Sequence, residues 1–548
     1  MERPLTPLEP GSELRPWIEE YEADRAALDR RYPTRWAQRA LERKRRLAEL
    51  WLERVRGIDF DPLSREGRID ALLFDNHLAG SLARNEADTR LAREAEGLLG
   101  LVESASALEL DRKDRRWIQG REAAERIHRL AHDAEEAARR IEDGVEPVQA
   151  AVAADVLKSL RQNLDDWHAF YDGYDPEFTW WVAEPWKRLT SGWERLQSAL
   201  AKAAGDTGDN PPIVGRRVGR EALLEGLRRE WMEETPERLI GIGEREMAWC
   251  EERLREAARE MGCGDDWRRA IERVKETAVP PGRQPQAVAE LAEEAERYLA
   301  ENDLFEVPPL ASEVWQMTMM TAEQQKVAPF FYGGETISVS YPTQAMDHAF
   351  KLMSQRGNNP HFSRATVHHE LIPGHHLQGF HQERFKPYRR VFRTPFWIEG
   401  WTLYWELFLW DRGFPRGPED RIGMLFWRLH RAARVVFSLR FHMGQMEAPE
   451  CVEFLVERVG HERSNAEGEV RRSFRGGYEP LYQAAYLIGG KQVYALQREL
   501  LASGWSAKGF HSAFLRAGMM PIEMVAADLR GGPIERPFRV PRPLLADA

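Results

Sequence analysis

Residues 366–382 read TVHHELIPGHHLQGFHQ and hold His368, His369, His375, His376 and His381, a third of the chain's 15 histidines, with Glu370 among them. Catalytic zinc sites take three imidazole or carboxylate ligands at about 2.0 to 2.2 Å and leave a fourth position to water. In the common HExxH arrangement the two histidines lie four residues apart on one helix face, and the glutamate beside the first serves as base toward that water. Here the position four residues after His369 is Pro373, and the next histidines are His375 and His376. Proline removes a helical hydrogen bond and glycine tolerates unusual backbone angles, so Pro373 and Gly374 predict a kinked turn with two residues looped out. Such a bulge brings His375 to the place of the second ligand. His376 faces the same side of an undistorted helix but further along it, and stays open as the alternative. His368 and His381 read as neighbours of the site that pack or support it.

A third ligand is expected from a carboxylate on a following helix. The stretch TPFWIEGWTLYWELFLW, residues 394–410, carries Glu399 and Glu406 in an otherwise aromatic and apolar setting. An unpaired buried carboxylate costs several kcal/mol, so an acid flanked by Trp397, Trp401 and Trp405 needs a cationic partner. Glu399 is the expected ligand and Glu406 a support behind it. One divalent ion is implied, with zinc as the prior, although ligand type alone does not separate zinc from cobalt or manganese.

The elements that must position these residues are mostly helices. From about Leu14 to Ala204 long amphipathic stretches alternate with short breaks, and GREAAERIHRLAHDAEEAARRIEDG shows apolar residues at helical spacing. GDTGDNPPIVG at 205–215 and TAVPPGRQPQ at 277–286 read as surface loops. Near residue 305 prolines and aromatics enter, and the alternating ISVS run before Tyr341 predicts a short strand. The expected division is a helical lobe at 1–304 and a catalytic lobe at 305–548, within one continuous two-lobed body.

Bulk properties exclude several classes. No apolar run approaches the roughly 18 residues needed to cross a bilayer, and the first residues have prolines and acids where a signal peptide needs a basic end and an apolar stretch. Cys250, Cys263 and Cys451 are too few and too scattered for a disulfide framework. A cytoplasmic location is therefore expected, without a membrane partner. The formal charge of −11 and the lack of a basic stripe argue against nucleic acid as a partner.

VHHELIPGHHLQ followed by EGWTLYWE resembles the signature of a bacterial family catalogued as domain of unknown function 885 (DUF885), which carries HExxPGHHLQ and EGWALYxE. That family is in turn similar to the helical gluzincins: angiotensin-converting-enzyme-like peptidases, thimet-type oligopeptidases and Taq carboxypeptidases. The resemblance implies a mainly helical, two-lobed metallopeptidase fold around a deep cleft, with a small sheet beside the metal helix. The converting-enzyme segment VHHEMGHIQYY aligns if two residues around Ile372 and Pro373 are inserted, which pairs its second ligand with His375. EVRRSFRGGYEPLYQAAYLIGG resembles a further family stretch and implies Tyr486 as an oxyanion donor, with Tyr482 in reserve. RAARVVFSLRFHMGQ resembles a third element and implies Arg434 and His442 as substrate-binding residues, although Ser438 stands where that element has an aspartate.

Together these readings imply zinc-dependent hydrolysis of peptide bonds in short peptides, with Glu370 activating the zinc-bound water, Tyr486 holding the oxyanion, and a substrate strand pairing with the 337–341 edge. Two other readings compete: a metal-dependent hydrolase or lyase acting on another small amide or ester, and a non-catalytic helical interaction protein.

Overall fold

Proline and short polar side chains set where the helices begin. Pro176, Pro236, Pro360 and Pro395 each open a helix, and the residue before each caps it: Asp175, Thr235, Asn359 and Thr394 accept hydrogen bonds from backbone N–H groups of the first turn. The computed structural model describes residues 11–205, 212–327, 331, 333–475 and 477–546. It is mainly helical, with a small two-stranded sheet. The loop expected at 205–215 lies partly outside the described residues.

The chain divides into two compact units, Met1–Gly215 and Arg216–Ala548. In the first, Gly120–Glu142 packs against Pro176–Ala203. Small residues permit the approach: a Cβ at Gly120 would stand 2.6 Å from the carbonyl oxygen of Glu177, and one at Gly192 would touch the backbone of Ala131. Ala123, Ala131, Ala134 and Ala138 line this contact region together with Leu196, Trp167 and Trp193 in one apolar cluster.

In the second unit Pro418–His442, here the arginine helix, packs against Pro236–Glu260, Pro360–Glu370 and Tyr482–Ala502. Pro395–Asp411, the aromatic helix, is buried nearly throughout and lies on Tyr482–Ala502, the tyrosine helix. That contact is backbone on backbone, since a Cβ on Gly400 would fall 2.7 Å from the carbonyl carbon of Gly489. The strands Gln316–Met319 and Thr336–Val339 run parallel, in register from Gln316 opposite Thr336 to Met319 opposite Val339. Ile337 and Val339 pack with Val367 and Leu371, so the sheet lies beside the helix that carries His369, as expected.

The boundary expected after residue 304 falls inside the second unit. Gln284–Glu301 belongs with the catalytic helices because Arg364 donates to both oxygens of Glu294 at 2.9 and 2.7 Å, and Gln284 donates to the Ser340 carbonyl at 3.2 Å. Val288, Leu291 and Ala292 of the same helix pack with Ile337, Val339, Val367 and Leu371, so contacts between separated segments, apolar and polar, tie it to the second unit. Among the described residues no helix is long and apolar enough to cross a membrane, and the three cysteines are free and buried.

Candidate metal centre

The segment expected to be one bulged helix is two helices. Pro360–Glu370, the first histidine helix, ends where Leu371 leaves helical geometry at φ −105°, ψ −108°. The Ile372–Pro373 bond is cis, and His375–Gln382, the second histidine helix, starts directly after Gly374. Glycine is required at 374 because a Cβ there would lie 1.8 Å from the His369 carbonyl oxygen. The aromatic helix pins this turn: Trp401 Nε1 donates to the Pro373 carbonyl at 2.9 Å, and Gln378 donates back to the Trp397 carbonyl at 3.0 Å.

The turn and the aromatic helix bring three donors together. Ligand atoms of His369, His375 and Glu399 all lie within 4.8 Å of one another. His375 Nε2 is 3.3 Å and His369 Nε2 is 3.8 Å from Glu399 Oε2, a buried oxygen that meets no well-aligned donor among the described residues. On the far side of the imidazole, His369 Nδ1 lies 2.7 Å from Glu406 Oε1, a bond in which the ring N–H donates and Nε2 is left facing the other two donors. Two imidazoles and a carboxylate, one of them oriented from behind by a second carboxylate, make a donor set that fits a divalent ion with an open position.

His376 points elsewhere, its Nε2 at 2.7 Å from the Ala311 carbonyl oxygen. His381 Nδ1 bonds the Leu377 carbonyl at 2.9 Å, and His368 is buried edge-on to Phe414, its ring nitrogens meeting no well-aligned partner among the described residues.

Burial alone would lower the His369 pKa, but Glu399 and Glu406 outweigh it and hold it up to about 9. Burial works against the ionised Glu399, yet His375 and His369 keep that carboxyl well below its ordinary value. Glu370 differs from both. Burial raises its pKa, and His369 and His375 offset this only in part.

These groups face a cavity of about 460 Å³ whose lining includes His369, Glu370, His375, Glu399, Tyr482, Tyr486 and Arg434. Tyr486 is stacked near the His369 ring, centroids 6.2 Å apart, and the Tyr482 hydroxyl donates to Glu399 Oε1. Arg434 grips Glu469 through Nε and Nη2 at 2.6 and 2.9 Å. His442 was expected beside the substrate and is absent from the described lining. It sits two helical turns beyond Arg434, at the end of the arginine helix against Phe441 and Phe474. The 337–341 edge is likewise absent from the described lining, which takes Phe331 and Gly333 from just before the strand.

Four lining arginines were not singled out from the sequence: Arg390, Arg393, Arg431 and Arg472. A signal existed for one of them. Arg428, Arg431 and Arg434 recur every third residue in a largely apolar stretch of their helix, which puts adjacent guanidinium groups on one face.

Among solved structures, the chain is similar to a protein from Shewanella oneidensis described as a candidate lipoprotein of unknown function. The TM-score is 0.72 at 14% identity, covering 95% of this chain and 100% of that one. A candidate lipoprotein from Colwellia psychrerythraea aligns with a TM-score of 0.60 at 13% identity, covering 94% of this chain and 97% of that one. No curated protein matches the chain. Residues 21–529 match a family described as bacterial protein of unknown function (DUF885), and the chain belongs to that family.

Proposed function

We propose that the chain is a metal-dependent hydrolase that cleaves amide bonds of short peptides, with zinc the first candidate for the ion. The observation that carries this reading is the convergence of His369, His375 and Glu399 at one wall of a cavity that Glu370 also lines. A divalent ion held by those three residues would supply Lewis acidity to a carbonyl oxygen and lower the pKa of water toward neutrality.

The rest of the chemistry belongs to the protein. Glu370 is the base: burial raises its pKa and so strengthens its hold on a proton taken from the attacking water, which it then passes to the leaving amine. Tyr486 is the donor to the oxyanion that develops on the scissile carbonyl, its ring held in place by stacking on His369 and by the guanidinium groups of Arg431 and Arg434, 4.7 and 4.8 Å from its centroid. Glu406 orients His369. A cavity of about 460 Å³ suits a few residues of peptide rather than a folded protein.

The test is mass-spectrometric analysis of a mixed pool of tri- to hexapeptides incubated with the zinc-loaded full chain and with its Glu370→Gln variant. Cleavage by the first, its loss in the second at equal zinc content, and its loss on chelation are expected. Cleavage that survives Glu370→Gln, or none from a stoichiometrically loaded chain, contradicts the reading.

A further inference from the structure

Among the described residues, five arginines, Arg390, Arg393, Arg431, Arg434 and Arg472, line the cavity, against two lining acids, Glu370 and Glu399. Glu406 and Glu469, paired with the arginines from behind, raise the carboxylates to four, still fewer than the guanidinium groups before any divalent cation is added. Arg390 and Arg393 are exposed, so water screens them. Arg431 and Arg434 are only 6% and 3% exposed.

Buried guanidinium groups are costly unless their donors are satisfied. Arg434 spends Nε and Nη2 on Glu469, and its buried Nη1 has no hydrogen-bond partner among the described residues. Arg431 approaches Glu406 only to 3.7 Å through Nη2, and its buried Nε is also without a partner there. Both lie over the ring of Tyr486, on the side of the cavity where that ring stacks near His369. The result, among the described residues, is a cavity wall where guanidinium groups outnumber carboxylates, next to the groups assigned to the reaction.

We propose that Arg431, Arg434 and Arg472 form a carboxylate-binding subsite, so that the preferred substrates are peptides whose carboxylate docks against this wall while an amide bond lies over Glu370. The inference rests on the hydrolytic reading of the cavity and adds the substrate class to it. Guanidinium forks hold carboxylates through parallel charge-assisted hydrogen bonds, and a low-dielectric cleft of one sign draws in ligands of the other. The carboxylate is supplied either by the free C-terminus of the peptide or by an acidic side chain.

Isothermal titration of the zinc-loaded Glu370→Gln chain, which holds peptides without turnover, tests this with three probes: N-acetyl-Ala-Ala-Ala as the free acid, the same peptide as its C-terminal amide, and N-acetyl-Ala-Glu-Ala amide. One of the two carboxylate-bearing probes is expected to bind about ten-fold or more tightly than the neutral amide, and which one identifies the source of the carboxylate. Adding Arg431→Gln is expected to erase the difference and Arg431→Lys to restore part of it. The comparison among ligands needs no arginine substitution and stands even if an Arg434 variant fails to fold. Equal or undetectable binding of all three probes overturns the inference, as does a preference untouched by Arg431→Gln. A chain that binds zinc and cleaves peptides without preferring carboxylates sinks the subsite and spares the hydrolytic reading. A chain that prefers carboxylates but neither binds metal nor cleaves peptides does the reverse.

Discussion

The two units bury different things. Among the described residues of Met1–Gly215 the buried acids are Asp70 and Glu109, and no arginine, lysine or histidine is fully buried. The second unit buries Arg364, Arg431, Arg434, Glu399, Glu406, Glu469 and a set of histidines, much of it around the aromatic and arginine helices. Apolar packing such as that of Trp193 against alanine-lined helices stabilises in proportion to the area removed from water. Buried charge adds little net stability, because desolvation offsets most of the Coulomb attraction. A chain that needed only to fold would build both units like the first. The charged interior of the second is where chemistry is to be sought, and substitutions in the two units are expected to fail in different ways.

The largest effect is expected from Glu370→Gln, about a thousand-fold lower kcat at unchanged metal content, the loss typical of a positioned base. Steady-state rates beside metal analysis check it. Trp193→Ala in the first unit, by contrast, is expected to cost roughly 3 to 5 kcal/mol in urea unfolding while the folded chain keeps its metal.

Glu469 yields a pH test of the charged interior. Burial opposes its ionisation, but Arg434 and Arg472 override this and set its pKa at about 2, below its ordinary 4.5. A carboxyl depressed by folding contributes stability that is fully present above the unfolded value and is lost as the pH falls from about 4.5 to about 2. That loss is on the order of 3 kcal/mol, and unfolding midpoints across this window should fall less steeply in Glu469→Gln than in the parent chain. The smallest effect is expected from Glu406→Gln, a 10- to 100-fold weaker metal affinity by competition titration, since the change disturbs the orientation of His369 and not a donor itself. A Glu406→Gln chain with undiminished affinity would mean that the buried charge around the centre does not support it.

Much of this was legible in the residues. Helical periodicity, the ISVS strand, and the grouping of His369, His375 and Glu399 could be read because each depends on local pattern or on a chemical need, such as a buried acid requiring a cation. Pro373 and Gly374 announced a disturbance, but its form was set by contacts from elsewhere: Trp401 fixes the Pro373 carbonyl, and the close approach of Gly374 to His369 ends one helix and starts another. His442 shows the limit of motif resemblance, since it shares a helix with Arg434 yet lies beyond the described cavity wall. Tyr482 and Tyr486, four residues apart on one face, could not be assigned separate contacts without knowing that Glu399 would meet the first. The place of Gln284–Glu301 with the catalytic helices depended on contacts between segments dozens of residues apart, such as Arg364 with Glu294 and Val288 in one apolar cluster with Val367, which leave no local trace.

The central claim is that two imidazoles and one carboxylate meet at a single ion, and elemental analysis of the purified chain and its histidine variants tests it most directly. About one zinc per chain is predicted, lost in His369→Ala and in His375→Ala and retained in His376→Ala, whose parent imidazole bonds the Ala311 carbonyl. A chain that holds no divalent ion, or one that keeps it in His375→Ala and loses it in His376→Ala, contradicts the account.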